Sequence, residues 1–130
     1  MEFTFLTGAN LSLAGLTNAN LFNAYLQGAD LVSAVLNGAD LTNADLSGTN
    51  LNVANLDGAF LNGANLIAAD LSGAFGISTT SGSATYNALT NFTSTGFNPV
   101  TAGWNLVVPE PTTGLMLGLG LLGVAVRRRV

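Results

Sequence analysis

The chain has no cysteine, no histidine and no lysine, and its only bases are Arg127, Arg128 and Arg129. Without cysteine there is neither disulfide nor thiolate chemistry, and cysteine usage says nothing of the redox compartment. Without histidine and cysteine the usual zinc and copper ligand sets are missing. Residues 1–126 hold seven acids and no base. Nothing there neutralises phosphates, so binding to nucleic acid is not expected. Charge is scarce throughout: 8% of the 130 residues are charged, and the net charge is −4. That length allows one modest domain with extensions.

What the chain has in abundance is a beat of five. Fourteen leucines stand at Leu6, Leu11, Leu16, Leu21, Leu26, Leu31, Leu36, Leu41, Leu46, Leu51, Leu56, Leu61, Leu66 and Leu71. Two residues before each is Ala, or Thr at Thr4 and Thr49, and the residue just before is commonly Asn or Asp. Two residues after, Gly is the commonest choice. Five fits neither regular element. Steps of about 100° spread the leucines around a helix, and an odd step in a flat strand alternates faces. The Gly, Asn and Asp content also disfavours a long helix. A regular core therefore needs a unit that turns a corner every five residues, with Leu and the small Ala or Thr inside.

Tandem Ala-(Asp/Asn)-Leu-X-X over residues 4–75 resembles the pentapeptide-repeat family. The resemblance implies an all-β fold, a right-handed four-sided parallel β-helix with four pentads per coil, here about 3.5 coils. At the ~4.8 Å spacing of neighbouring strands the column is short. On that fold Asn10, Asp30, Asn50 and Asp70 stack on one face, and Phe5, Tyr25, Asp45 and Asn65 on another. A third carries Asn20, Asp40 and Phe60, and the fourth Gly15, Val35, Asn55 and Phe75. Each buried Leu contributes roughly 2 kcal/mol gross, which ordering entropy largely offsets. So short a solenoid is expected to need capped ends.

Residues 1–5 enter the repeat at once, with no basic n-region and no apolar h-region. Phe3 and Phe5 are the only candidates to cover the open leucine end, which is otherwise free to pair with another column. Phe22, Val32, Ile67, Leu13, Val53, Val35, Phe60, Phe75 and Tyr25 occupy outward slots and read as tolerated surface hydrophobes.

From Gly76 the beat stops, and Ser78-Thr79-Thr80-Ser81-Gly82-Ser83 reads as a loop or linker. Beyond it, Tyr86, Phe92, Gly96-Phe97-Asn98-Pro99 and Gly103-Trp104 resemble the short tail that closes pentapeptide-repeat columns, with Asn98 where Asp is usual. These aromatics supply apolar surface to cap the last leucine layer. Asn91-Phe92-Thr93 and Asn10-Leu11-Ser12 fit the short N-glycosylation pattern.

At the C-terminus, Val108-Pro109-Glu110-Pro111 precedes the apolar run 115–126, and Arg127-Arg128-Arg129 follows it. The two prolines break any preceding element, and Thr112 is a fitting helix cap. A helix over 112–126 is about 22 Å long, short of the ~30 Å hydrocarbon core. Snorkelling arginines and local thinning make up the difference, and the arginines hold the C-terminus in the cytoplasm. Pro-Glu-Pro, apolar helix and basic cluster in that order resemble the PEP-CTERM sorting signal of exported proteins in Gram-negative bacteria. The resemblance implies recognition at Pro109, Glu110 and Pro111, with Arg127, Arg128 and Arg129 helping to position the motif, and cleavage by exosortase, a membrane protease-transpeptidase.

The division expected is 1–75 repeat column, 76–108 cap and linker, and 109–130 sorting signal. An exported column needs a leader, so the natural start is expected upstream of Met1. No catalytic, cofactor or metal residues emerge. Asp30 and Asp70 share a face two coils apart with Asn50 between them, and Asp40 and Asp45 sit on adjacent faces. General acid–base chemistry needs convergent groups, so no enzyme is expected. The reading is an exported, non-catalytic surface or matrix protein, anchored transiently in the inner membrane and then released to the cell surface or beyond. By resemblance it is linked to exopolysaccharide or biofilm formation. The alternative is a cytosolic DNA-mimicking binder of the gyrase-inhibitor type, which the acidic column fits loosely and the sorting tail does not.

Overall fold

In a computed structural model of the chain, residues 3–77 and 82–108 are described. Every pentad makes the same corner. The leucine carbonyl accepts the N–H of the residue three further on, from Ala9 onto Leu6 through Ala74 onto Leu71, at 2.9–3.2 Å. The residue two after each leucine has φ between +54° and +71° in all fourteen pentads. That is the pattern of a type II turn, which favours Gly or Asn at its third position. Glycine fills half of these positions, and the rest are Leu13, Asn18, Asn23, Ser33, Asn43, Val53 and Ala68.

Between corners one residue of each pentad is extended and pairs with its equivalent twenty residues on. Parallel bridges run from Phe5↔Tyr25 to Asn55↔Phe75, four per twenty residues. In each bridge the later residue supplies both groups. Tyr25, for example, donates its N–H to Thr4 O at 2.9 Å and accepts from Leu6 N–H at 2.7 Å. The coil thus closes on a sheet with no long strands, and the leucines it turns inward stack. Leu21 is 5% exposed and every later leucine of the series 1% or less, with the Ala of each pentad from Ala24 onward equally buried. Thr49 takes one Ala position and donates its hydroxyl to Leu46 O at 2.7 Å.

The pairing does not end with the leucine beat. Asn65 bridges Thr85 and Asp70 bridges Asn91. Strand β1 (Thr85–Tyr86) pairs in parallel with strand β2 (Asn105–Leu106). From Thr85 to Asn91 the step is six residues, not five. The slip is absorbed by side chains: Asn87 Oδ1 accepts the Ala68 N–H at 3.1 Å, and the Thr90 hydroxyl donates to Leu66 O at 2.8 Å. Tyr86 and Trp104 are buried against the leucine core. Phe92 packs edge-on against Tyr86 and Trp104, and Phe97 lies 4.7 Å from Trp104 between ring centres. The other end differs. Leu6, Leu11, Leu16 and Ala19 are only partly buried. The helix expected over 112–126 lies outside the described residues.

Candidate functional site

The outer surface of the column is the first candidate. Asn or Asp precedes leucine in nine pentads, and in each its Oδ1 accepts the N–H two residues on, as in Asn10 with Ser12, Asp30 with Val32 and Asp70 with Ser72. These are Asx turns. The polar rows that could be taken for binding ladders are thus engaged in holding corners. Asp45 is held furthest: Gln27 Nε2 donates to its Oδ2 at 2.7 Å, and Asn65 Nδ2 to its Oδ1 at 3.0 Å. Burial pushes its carboxyl up, but bonds from Ser47, Gln27 and Asn65 outweigh this and hold it below the ordinary 3.8. Asp70 is likewise lowered by the Ser72 hydroxyl and N–H, against a smaller opposing effect of burial, with help from Asn91. The Gln27–Asp45 link was invisible in a period of five, because Gln27 reaches across the corner rather than along its own row.

Asp30 and Asp70 are separated by Asn50 in one row, and Asp40 is followed by Phe60 in another. Among the described residues no group of three acids could hold a metal ion, and no buried polar side-chain atom lacks a partner. Apolar side chains also lie on the outside. Phe5 and Tyr25 stack face to face at 5.2 Å, with Phe3 tilted against Tyr25 at 6.0 Å.

The second candidate is the exit toward the tail. Val107 donates its N–H to Tyr86 O at 2.7 Å, the last ladder bond among the described residues. Val108 follows, and Pro109, Glu110 and Pro111 come directly after it. Those three and Arg127, Arg128 and Arg129 lie outside the described residues. No helix among the described residues is long and apolar enough to cross a membrane, and the run 115–126 is not among them.

Turn, row and twenty-residue register together define a solenoid of pentad corners closed by parallel bridges. The chain belongs to the pentapeptide-repeat family: eight copies of the repeat match over residues 1–31, 14–52 and 47–75. Residues 107–129 match the PEP-CTERM protein-sorting motif. A pentapeptide repeat protein from Nostoc Pcc 7120 is 34% identical, with 79% of this chain and 84% of that chain covered and a TM-score of 0.74. One from the cyanobacterium Cyanothece 51142 is also 34% identical, with a TM-score of 0.53, covering 70% of this chain and 58% of that one. No curated protein matches.

Proposed function

We propose that the chain is an exported, non-catalytic surface or matrix protein whose pentapeptide-repeat column is delivered by its sorting tail. The column is taken as a right-handed, four-sided coil of about 3.5 turns. The tail is a helix that holds the protein briefly in the inner membrane. Exosortase recognises Pro109, Glu110 and Pro111, and Arg127, Arg128 and Arg129 keep the far end in the cytoplasm. The released column serves as a rigid scaffold at the cell surface, in association with exopolysaccharide or biofilm.

The observation that carries this reading is the adjacency of a hydrogen-bonded column, whose last ladder bond among the described residues is at Val107, and a sorting motif matched from residue 107. The acids of the column support a passive role, since they bond to the chain's own N–H and amide groups rather than converging on a cleft. The test is the intact mass of the protein recovered from its native cell envelope. The expected spectrum lacks the tail beyond Pro109-Glu110-Pro111. A mass that still ends at Val130, in protein recovered from the soluble cytosol, overturns the reading.

A further inference from the structure

The last described turn, residues 85–108, combines apolar exposure with an absence of charge. Asp30, Asp40, Asp45, Asp57 and Asp70 are spread along the repeat, whereas residues 71–108 carry no charged side chain. The next acid, Glu110, belongs to the Pro-Glu-Pro run itself. Within this neutral turn Leu89, Val100, Leu106, Val107 and Val108 are exposed, Leu89 at 73% and Val100 at 70%. Leu89 and Val100 sit inside the ladder, so theirs is not the exposure of a chain end. Their corners are fixed: Leu89 donates its N–H to Asn87 Oδ1 at 3.0 Å, and Val100 to Asn98 Oδ1 at 3.0 Å. Leu89 follows β1 and Val100 precedes β2, so the set brackets the strand from which the chain runs on to its tail. Val35, Val53 and Phe60 are exposed too, but Asp30, Asp40, Asp45 and Asp57 are interspersed with them along the chain.

We propose that this turn docks on a lipid surface, the headgroup layer of the bilayer that holds the tail before release. The inference rests on the tail being seated in a membrane, as proposed above, and adds that the column is held against that membrane rather than hanging free of it. Three arguments favour this occupant. The first is chain length. Only seven residues separate Val108 from Leu115, where the apolar run begins. They span at most about 25 Å, and the headgroup layer takes up part of that reach. So short a tether makes contact with the bilayer intramolecular, and a small patch then suffices. The second is charge. A bilayer with anionic lipids repels the coils that carry acids and does not repel this turn. The third is chemistry. The headgroup boundary takes apolar side chains set among neutral polar ones, and Leu89, Val100 and Leu106 have Asn98, Thr101 and Asn105 for company on the exposed surface of this turn.

The test uses the full chain in vesicles of phosphatidylethanolamine and phosphatidylglycerol. The chain has no cysteine, so single cysteines can carry a nitrobenzoxadiazole label whose emission moves to the blue on leaving water. Ala88→Cys and Ala102→Cys place it at exposed positions of the turn, and Thr17→Cys places it at an exposed position of the first coil, four strand spacings or ~19 Å away along the column. Flotation with the vesicles reports the tail, and emission reports the turn. The expected result is a chain that floats, with labels at 88 and 102 shifted to the blue and the label at 17 unshifted. Leu89→Asp with Val100→Asp is expected to abolish the shift and leave flotation unchanged. Should the near-ultraviolet signal of Trp104 show that the acids disturb the fold, Leu89→Thr with Val100→Thr is expected to reduce the shift in the same direction. A floating chain with all labels in water overturns the proposal while leaving the tail seated, and assigns the patch to a protein partner. A shift that survives in folded Asp and Thr variants overturns it as well, since the tether alone then sets the position of the turn. So does a shift of all three labels, which means adsorption along the whole column. A chain that does not float overturns the reading of the tail, and this inference with it.

Discussion

At Val53 a β-branched side chain stands at φ +57°, in the corner slot that demands a left-handed backbone. L-residues pay roughly 1–2 kcal/mol there, and Asn pays least among those with a side chain. The neighbouring coil says what fits. An ideal Cβ built on Gly38 would collide with Asn18 Oδ1, and one built on Gly63 with Asn43 Oδ1, so these two Asn side chains each lie over a Gly twenty residues on. Val53 lies over Gly73 in the same way. Val53→Asn is therefore expected to stabilise the column by about 0.5–1 kcal/mol, seen as a higher urea midpoint at unchanged slope. Acid sensitivity also belongs to single residues. Asp45 and Asp70 have folded-state pKa values below 3.8. Their contribution is therefore full above the unfolded value of about 3.9 and is lost as pH falls through the folded one. The melting temperature is expected to hold from pH 7 to about 5 and to drop below about 4. Asp45→Asn with Asp70→Asn should flatten that drop.

On the scale of the pentad, the corner is the unit of both pattern and energy. Leu46 is wholly buried between coils, whereas Leu11 has a coil on one side only. Leu46→Ala is expected to cost about 2–5 kcal/mol, and Leu11→Ala clearly less. Equal costs measured in urea would mean that the first rung is covered as fully as the middle ones. The same corner explains what could be read from the letters. Leu and Ala repeat because they alone face inward, and Asn or Asp precedes leucine because its carbonyl oxygen ties down the turn. The rows at spacing twenty came from the family resemblance, which supplies four pentads per coil, and the parallel bridges run at that spacing. The coil carried by Thr85, Asn91 and β2 did not show, since the six-residue step to Asn91 breaks the period and Asn87 and Thr90 mend it with side chains. Tyr86, Phe92, Phe97 and Trp104 were visible there as a cap, by their apolar bulk and by resemblance to the tail that closes such columns, but not as part of a further coil. The clamp on Asp45 was hidden because Gln27 lies eighteen residues from it, not twenty.

For the whole molecule, what matters is where the described ladder stops and the sorting motif starts, which is at Val107 in both cases. The ladder bonds among the described residues run from Thr4 to Val107, and the Pro-Glu-Pro run proposed as the recognition motif begins at Pro109. Cutting beyond residue 108 removes none of these bonds. The released product is therefore expected to melt at the same temperature as the column in the full chain, followed by the near-ultraviolet signal of Trp104. None of these described bonds involves a residue beyond Val107, so substitutions in the tail are expected to act on delivery alone. Deleting Arg127, Arg128 and Arg129 removes every positive charge from the chain, and with it the asymmetry that orients the apolar run. Glu110→Gln alters the Pro-Glu-Pro motif while leaving that orientation in place. Both variants are expected to accumulate in the inner membrane with the tail uncut. They are expected to differ in one respect: protease added to the periplasmic side should reach the column of the Glu110→Gln protein but only part of the arginine-deleted population. Normal release of either variant would mean that the residues altered in it are not read as the signal.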